Sequence, residues 1–420
     1  FVGYETIRFG GLETIVNFYE LIYDDVPFIF VQNMHYFERD MFYGYQDDAE
    51  RFSCFSYAVL EYMHVVDDYP SILHLNDWQT GMIPYLLDEH YRHRNANYFC
   101  IHTLLTIHNL EYQGSFDPYV SRFFNTAFNY TYIHFDRVNF LKAGIQRATL
   151  INTVSPTYAK EILTEAYGFT LDGALDYRKD DLVGILNGID SDVFSPKKDA
   201  YLTHPFDLRN VFSAKANNKK QIYETFKLSP ELDQPLIVYI GRLAHQKGIE
   251  LMTRTLEELI EYSYARFILM GSGDASYQDY FNYLAYKYPD RVKTYIGFNE
   301  KIAHQLYAAS DFFMMPSKFE PCGLGQMIAM TYGSLPIVHE TGGLKDTVIP
   351  FNTFTKEGTG FSFSRYDAHD FKEKMFEAIY VYTHQQDDYK NMVKQAMKKD
   401  FSLKKMALSY EKIYQRILGV

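Results

Sequence analysis

The chain is predicted to be an α/β protein made of two doubly wound domains in tandem, with the ligand expected in the crevice between them. Three observations carry that expectation. The length, 420 residues, fits two or three domains at roughly 150 residues each. The second half alternates short apolar runs with helix-like segments, the signature of βαβ units and a parallel sheet. A stretch rich in Gly, Pro and charge, Asn187-Gly188-Ile189-Asp190 and then Val193–Pro205, separates the halves and places a hinge near 190–200.

In the second half the predicted strands are Pro235–Ile240, Arg266–Met270, Val292–Ile296, Phe312–Met315 and Leu335–Val338. The helices between them are Ile249–Tyr262, Tyr277–Lys287, Glu300–Ala309 and Gly323–Tyr332. Right-handed crossovers then wind the domain on both faces of its sheet. The first half reads the same way with less contrast. Its strands are Phe28–Val31, Ile72–Leu75, Leu104–His108, Thr149–Val154 and Leu182–Leu186, with an amphipathic stretch over Asp47–His64. Ser155 followed by Pro156 is an N-cap with proline at the first helical position, opening a helix to Thr164. Ser402–Leu418 reads as a final helix.

Composition narrows the class. Hydrophobic residues at 47% and charged residues at 22% are ordinary for a globular chain. The net charge of −12 argues against broad nucleic-acid binding, though a small phosphorylated ligand needs only local charge. No run of ~18 apolar residues suggests a membrane span, and no cleavable signal is visible at the start. Three scattered cysteines, Cys54, Cys100 and Cys322, have no metal-ligand spacing and suit a reducing cytoplasm. The chain opens on Phe1 rather than Met and reads as part of a longer product. Tyr and Phe are abundant, 38 and 34; such rings stack on sugars but also fill cores.

Candidate chemistry gathers at strand ends. Gly241-Arg242-Leu243-Ala244-His245-Gln246-Lys247-Gly248 lies between a buried strand and a helix. Two cations at a helix start suit a diphosphate; two solvated loop cations are the alternative. Ser317-Lys318-Phe319-Glu320-Pro321-Cys322-Gly323-Leu324 follows the next strand, and Glu320 there either grips sugar hydroxyls or caps a helix. Gly342 and Gly343 offer amides to an anion or form a plain turn. In the first half, His108-Asn109 and Asn76-Asp77-Trp78 end neighbouring strands on one edge. Asp190-Ser191-Asp192 matches a metal-binding Asp-x-Asp pattern but falls in the connector, and Gly271-Ser272-Gly273-Asp274 lacks the third glycine of a dinucleotide fingerprint.

Taken together, the segments "YGYQDDAERF", "HLNDWQTGMIP", "TIHNLEYQG", "FLKAGI", "TVSPTYAKEI", "GILNGID", "GRLAHQKGIELM", "PSKFEPCGLGQM", "TGGLKDTV" and "GTGFSFSRYDAHDF" resemble the bacterial glycogen synthase and plant starch synthase family, glycosyltransferase family 5. The resemblance implies the GT-B fold: two Rossmann-like domains facing a cleft, an acceptor-side domain over 1–190, a nucleotide-sugar domain over 191–400, and a helix over 401–420 crossing back to the first. It implies transfer of glucose from ADP-glucose to the non-reducing end of an α-1,4-glucan, with retention and without a metal or cofactor. It implies a cytoplasmic protein with no nucleic-acid or membrane partner, and it leaves a homo-oligomer open.

By the same likeness, Arg242 and Lys247 bind the leaving diphosphate. Glu320 is the sugar-side acid, and Cys322, Gly323 and Leu324 line the glucose pocket. His108 sits near the transferred sugar, Asp77 and Asn187 lie around the glucose, and Phe298 stacks on adenine. Gly342 and Gly343 supply amides near the donor. Tyr36 and Phe37 lie in a stretch resembling the acceptor-side "YYFKR".

The chain also departs from the pattern. The Lys-Thr-Gly-Gly-Leu donor loop is absent, so roughly the first 60 residues of a complete enzyme are expected to be missing; Phe9-Gly10-Gly11-Leu12 is no substitute, since it lacks the lysine. His339 and Asp176 stand where arginines are common, and Ile328 replaces the second glutamate, with Gln326 nearby. A binding subunit with a damaged donor site, or a GT-B transferase for another nucleotide sugar, are the competing readings.

Overall fold

The computed structural model describes residues 1–124, 129–229, 231 and 233–420. Its contacts divide into two compact units. One comprises Phe1–Val154, Ala159–Gly184 and Glu411–Val420; the other comprises Ser155–Tyr158 and Ile185–Tyr410.

The second unit is built on a six-stranded parallel sheet. Its strands lie side by side in the order Val292–Ile296, Arg266–Gly271, Leu236–Ile240, Phe312–Met315, Leu335–His339 and Phe361–Phe363. Numbered by sequence within the unit, that order is 3-2-1-4-5-6, the doubly wound arrangement. The chain reverses direction of winding between Leu236–Ile240 and Phe312–Met315, so their carboxyl ends flank the switch point. The four central strands, Arg266–Gly271, Leu236–Ile240, Phe312–Met315 and Leu335–His339, are buried nearly throughout, as a sheet covered on both faces must be. Helix Ile249–Tyr262 covers part of one face with Leu251, Met252, Leu256, Leu259 and Ile260, an i, i+3/i+4 stripe.

The first unit has a four-stranded parallel sheet in the order Leu182–Gly184, Leu150–Thr153, His102–Ile107 and Ile72–Asn76. Its opening segment corrects the sequence reading. Phe28–Val31 lies not in this sheet but within Val26–Gln32, the third strand of an antiparallel meander with Gly3–Phe9 and Leu12–Tyr23. Phe9-Gly10-Gly11-Leu12 is the first hairpin corner of that meander, its two glycines at φ +56° and +80°. The meander packs Ile7, Phe9, Val16 and Phe18 inward. The helix at Pro156 ends at Glu161 rather than Thr164, and the helix predicted from Gly323 starts at Gly325.

The final helix, Leu403–Leu418, contributes to both units, each within its own set of contacts. Gly188 N–H donates to Met406 Sδ at 3.2 Å in the second unit. In the first, Tyr414 Oη lies 2.8 Å from His74 Nδ1, and Arg416 donates to the Asp180 carbonyl. Among the described residues no helix is long and apolar enough to cross a membrane.

Candidate active site

Two loops at the switch point of the second unit are stitched to each other. Lys318 N–H donates to the Gln246 carbonyl at 2.9 Å, and Gln246 Nε2 reaches the Phe319 carbonyl at 3.4 Å. Gly248, at φ +72°, lies so close to the Pro316 carbonyl that a Cβ would overlap it. Only glycine fits that left-handed, crowded position. The stitching brings the side chains together: Lys247 Nζ donates to Glu320 Oε2 at 2.6 Å. The pair keeps 19% and 8% of its side-chain exposure, so it is mostly withdrawn from water, where a charge pair is strong and poorly screened. Arg242 stays exposed on the same loop and is tethered by Nη2 to Gln246 Oε1 at 3.3 Å. Tyr239 Oη donates to the Arg242 carbonyl at 2.7 Å and fixes the loop's first turn.

The turn carrying Glu320 has its carbonyls tied back by donors from three segments. Gly343 N–H is shared between the Glu320 and Pro321 carbonyls, each at 3.2 Å. Ser155 Oγ donates to the Pro321 carbonyl at 2.7 Å. Gln326 Nε2 donates to the Cys322 and Gly323 carbonyls at 3.1 and 3.0 Å. The carboxylate therefore stands on a fixed backbone. Gly342 and Gly343 also shape this turn. The Gly343 amide is spent on the acid's own turn, and Gly342, at φ +44°, lets that turn approach where a Cβ would meet the Glu320 carbonyl. Thr157 anchors the assembly from below, its N–H and Oγ1 both bonded to the Asp346 carboxylate at 2.8 and 2.6 Å. This contact joins Ser155–Tyr158 to "TGGLKD" within the second unit.

Around that turn lie Cys322, buried, and Leu324, 45% exposed. Burial pushes the Cys322 thiol up to about 12, with the Asn187 backbone pulling the other way, so Asn187 sits against the thiol and the cysteine is an inert lining group. Phe298 follows strand Val292–Ile296 and is 73% exposed. His339 is buried with its Nδ1 2.9 Å from the Ser317 carbonyl. It packs behind the acid loop and is not displayed to a ligand. Asp190 accepts the Asp192 amide at 2.8 Å in a connector turn, and among the described residues no cluster of three metal-ligating side chains forms.

The first unit has its own cluster at the carboxyl edge of its sheet. Asp77 follows strand Ile72–Asn76 at φ +57°, ψ −172°, a region costing a non-glycine residue about 1–3 kcal/mol. It is held there because its N–H donates to the Thr106 carbonyl while its Oδ1 accepts the His108 amide, at 2.9 and 2.8 Å. Burial pushes the Asp77 carboxyl up, against the pull of His108 and of the His108 and Asn109 amides. His108 Nε2 lies 2.9 Å from Asn76 Oδ1. Trp78 anchors the turn in a ring cluster with Phe52, Phe116 and Phe140.

Tyr36 and Phe37 lie on the short helix Met34–Phe37. Tyr36 is buried, its hydroxyl bonded to Glu50 and its carbonyl to Arg51 Nε, so its ring has no open face for a sugar. Phe37 is half-buried against Phe55. Asp176 is a surface acid paired with Lys179. Sequence reasoning gave no role to Ser317, Gln246 or Thr157, and named Ser155 only as an N-cap and Gln326 only beside Ile328. The first two could have been found, because each lies on a strand-end loop within four residues of a named charge.

Comparison with known proteins identifies the family. Residues 2–177 match the starch synthase catalytic domain family, and residues 221–399 match glycosyl transferases group 1. Glycogen synthase of Acholeplasma laidlawii is 63% identical over 420 residues, covering 100% of this chain and 88% of that protein. Glycogen synthase of Bacillus subtilis is 42% identical, covering 98% and 86%. Among solved structures, the catalytic domain of starch synthase IV from Arabidopsis thaliana, bound to ADP and acarbose, superposes with a TM-score of 0.89 at 32% identity, covering 99% of this chain and 89% of that one. A sucrose-phosphate synthase from Thermosynechococcus elongatus, 18% identical at a TM-score of 0.58, shares the fold. The chain is a glycosyltransferase of GT-B fold and belongs to the family of glycogen and starch synthases.

Proposed function

We propose that this enzyme moves glucose from ADP-glucose to the non-reducing end of an α-1,4-glucan with retention of configuration, in the cytoplasm. The observation that carries the reading is the Lys247–Glu320 pair at the switch point of the six-stranded sheet, where a nucleotide sugar is bound in folds of this class. The Arabidopsis relative solved with ADP and acarbose supports a nucleotide on the donor side and a glucan on the acceptor side.

In this reading the second unit binds the donor and the first presents the acceptor. Arg242 and Lys247 neutralise the diphosphate as the glucose–phosphate bond breaks, which lowers the barrier by stabilising charge that develops only then. Glu320 holds the glucose hydroxyls, with Cys322, Gly323, Leu324 and Asn187 forming the pocket wall. Phe298 stacks on the adenine. Gly342 and Gly343 serve by bracing the Glu320 turn. Asp77 and His108 bind around the transferred glucose, and Phe37 rather than Tyr36 meets the acceptor. The acceptor 4-hydroxyl attacks the anomeric carbon on the face the phosphate leaves. Its proton passes to the departing phosphate oxygen, so ADP and the lengthened glucan are the products.

The test is incorporation of label from ADP-glucose into glycogen. Transfer that is faster from ADP-glucose than from UDP-glucose supports the reading. A preference for UDP-glucose would contradict it and favour a different nucleotide sugar.

A further inference from the structure

We propose that Ser317 is a positioning residue for this transfer, holding one oxygen of Glu320 so that the other faces the sugar; the proposal rests on the glucosyl-transfer reading above. Ser317 Oγ donates to Glu320 Oε2 at 3.0 Å, the same oxygen that takes the Lys247 ammonium at 2.6 Å. Among the described residues nothing donates to Oε1, nor is it one of the sealed polar atoms without a partner. The carboxylate is thus asymmetric: Oε2 is bound to the protein and Oε1 is on offer.

Ser317 is itself fixed. It is fully buried, and its carbonyl lies 2.9 Å from His339 Nδ1. A carbonyl only accepts, so Nδ1 carries the hydrogen in this contact. That ring is buried beside Phe363 and Tyr366, with centroids 5.4 and 5.3 Å away. One residue earlier, the Pro316 carbonyl is packed against Gly248. Strand end, histidine and glycine together leave the hydroxyl few places to point.

The functional consequence follows from sharing. A diphosphate draws Lys247 away from Glu320, since one ammonium cannot fully neutralise both anions. At that moment Ser317 is the protein donor that remains on Oε2. Without it, the carboxylate rotates about its side-chain bonds and loses the orientation in which Oε1 meets the sugar, a loss felt in the transition state more than in donor binding.

The experiment measures kcat and KM for ADP-glucose with glycogen as acceptor, for wild type, Ser317→Ala, Ser317→Thr, and Ser317→Ala in a Glu320→Gln background, with thermal unfolding of each. The proposal expects Ser317→Ala to lower kcat about tenfold with KM changed less than about threefold, and Ser317→Thr to recover most of the loss. In the Glu320→Gln background the same change costs less than about twofold, because the two residues act as one unit. Should Ser317→Ala fail to fold, Ser317→Cys, a weaker donor of similar size, carries the same expectation with a drop of about threefold or more. A kcat for Ser317→Ala within about twofold of wild type overturns the proposal, as does a full tenfold loss that persists in the Glu320→Gln background. Absence of glucosyl transfer by the wild type overturns the reading beneath it and the proposal together, so the two failures are told apart by the wild-type rate.

Discussion

The sheet edges of the two units solve one problem by different means. In the second unit, Glu320 and Lys247 are held by redundancy: two loops share backbone bonds, and the carbonyls of the acid's turn are capped from three segments. The backbone there is relaxed except at glycines. In the first unit, Asp77 is held by force, in a conformation that suits glycine, with its own carboxylate and amide as the restraints. Redundancy tolerates the exchange of one partner for a ligand, which a site that binds and releases charged groups requires. Strain fixes a single group in one place, which suits a wall against which a neutral sugar rests.

The largest expected effect breaks the redundant edge at its centre. Glu320→Ala or Lys247→Ala should lower kcat by roughly a hundredfold or more with the fold retained, as assayed by glucose incorporation and thermal unfolding. Wild-type turnover in either would remove that residue from the chemistry. Next comes the strained edge. Asp77→Gly and Asp77→Ala should both lose activity roughly tenfold or more, but glycine should be the more stable of the two by about 1–3 kcal/mol, because it accepts φ +57° without strain. Equal stability of the two variants in urea would mean the backbone there is not strained.

A smaller effect is expected at Phe298. Its exposed ring contributes little to folding, so Phe298→Ala should leave the melting temperature unchanged. It should raise KM for ADP-glucose by about threefold to tenfold and weaken the preference over UDP-glucose. The smallest effect is a pH dependence in the first unit. Burial, aided by His108, holds the His74 imidazole down at about 4, where it bonds Thr106 and Tyr414. In the unfolded chain it titrates near 6.5. The unfolded state therefore gains a proton first, and this contribution to stability is present above about pH 6.5 and is lost as pH falls towards 4. His74→Gln should flatten unfolding free energy in that window relative to wild type. An unchanged slope would assign the acid sensitivity elsewhere.

Much of the redundant edge was legible in the sequence. Strands such as Leu236–Ile240 and Phe312–Met315 are continuous apolar runs closed by Gly or Pro, and the charges that follow them are few. What stayed hidden has physical causes. Helix Val211–Phe226 escaped notice because its buried face carries Lys215, Asn218 and Lys219, which break the apolar period. Lys215 is buried because its ammonium bonds the Ala308 and Tyr332 carbonyls at the ends of two other helices. Phe361–Phe363 is too short to show a period at all. The antiparallel meander alternates apolar and polar residues, yet its outer face also carries rings such as Tyr19, Tyr23 and Phe28, which blur the alternation. Gln246 was in view but its partner was not, since its bond to Phe319 crosses between loops 73 residues apart; Ser317 lies three residues from Glu320, and the direction of its hydroxyl does not show in the sequence. The burial of Tyr36 stayed hidden because a motif's aromatic reads the same whether it faces a ligand or the core.

The most direct test of the account is ADP binding by calorimetry to wild type, Lys247→Ala and Glu320→Ala. If the lysine serves the nucleotide and the acid serves the sugar, Lys247→Ala should weaken ADP by about tenfold or more, while Glu320→Ala should bind ADP as well as wild type or better, because its removal frees the ammonium. ADP affinity unchanged in Lys247→Ala, or lost in Glu320→Ala, would contradict that division of labour.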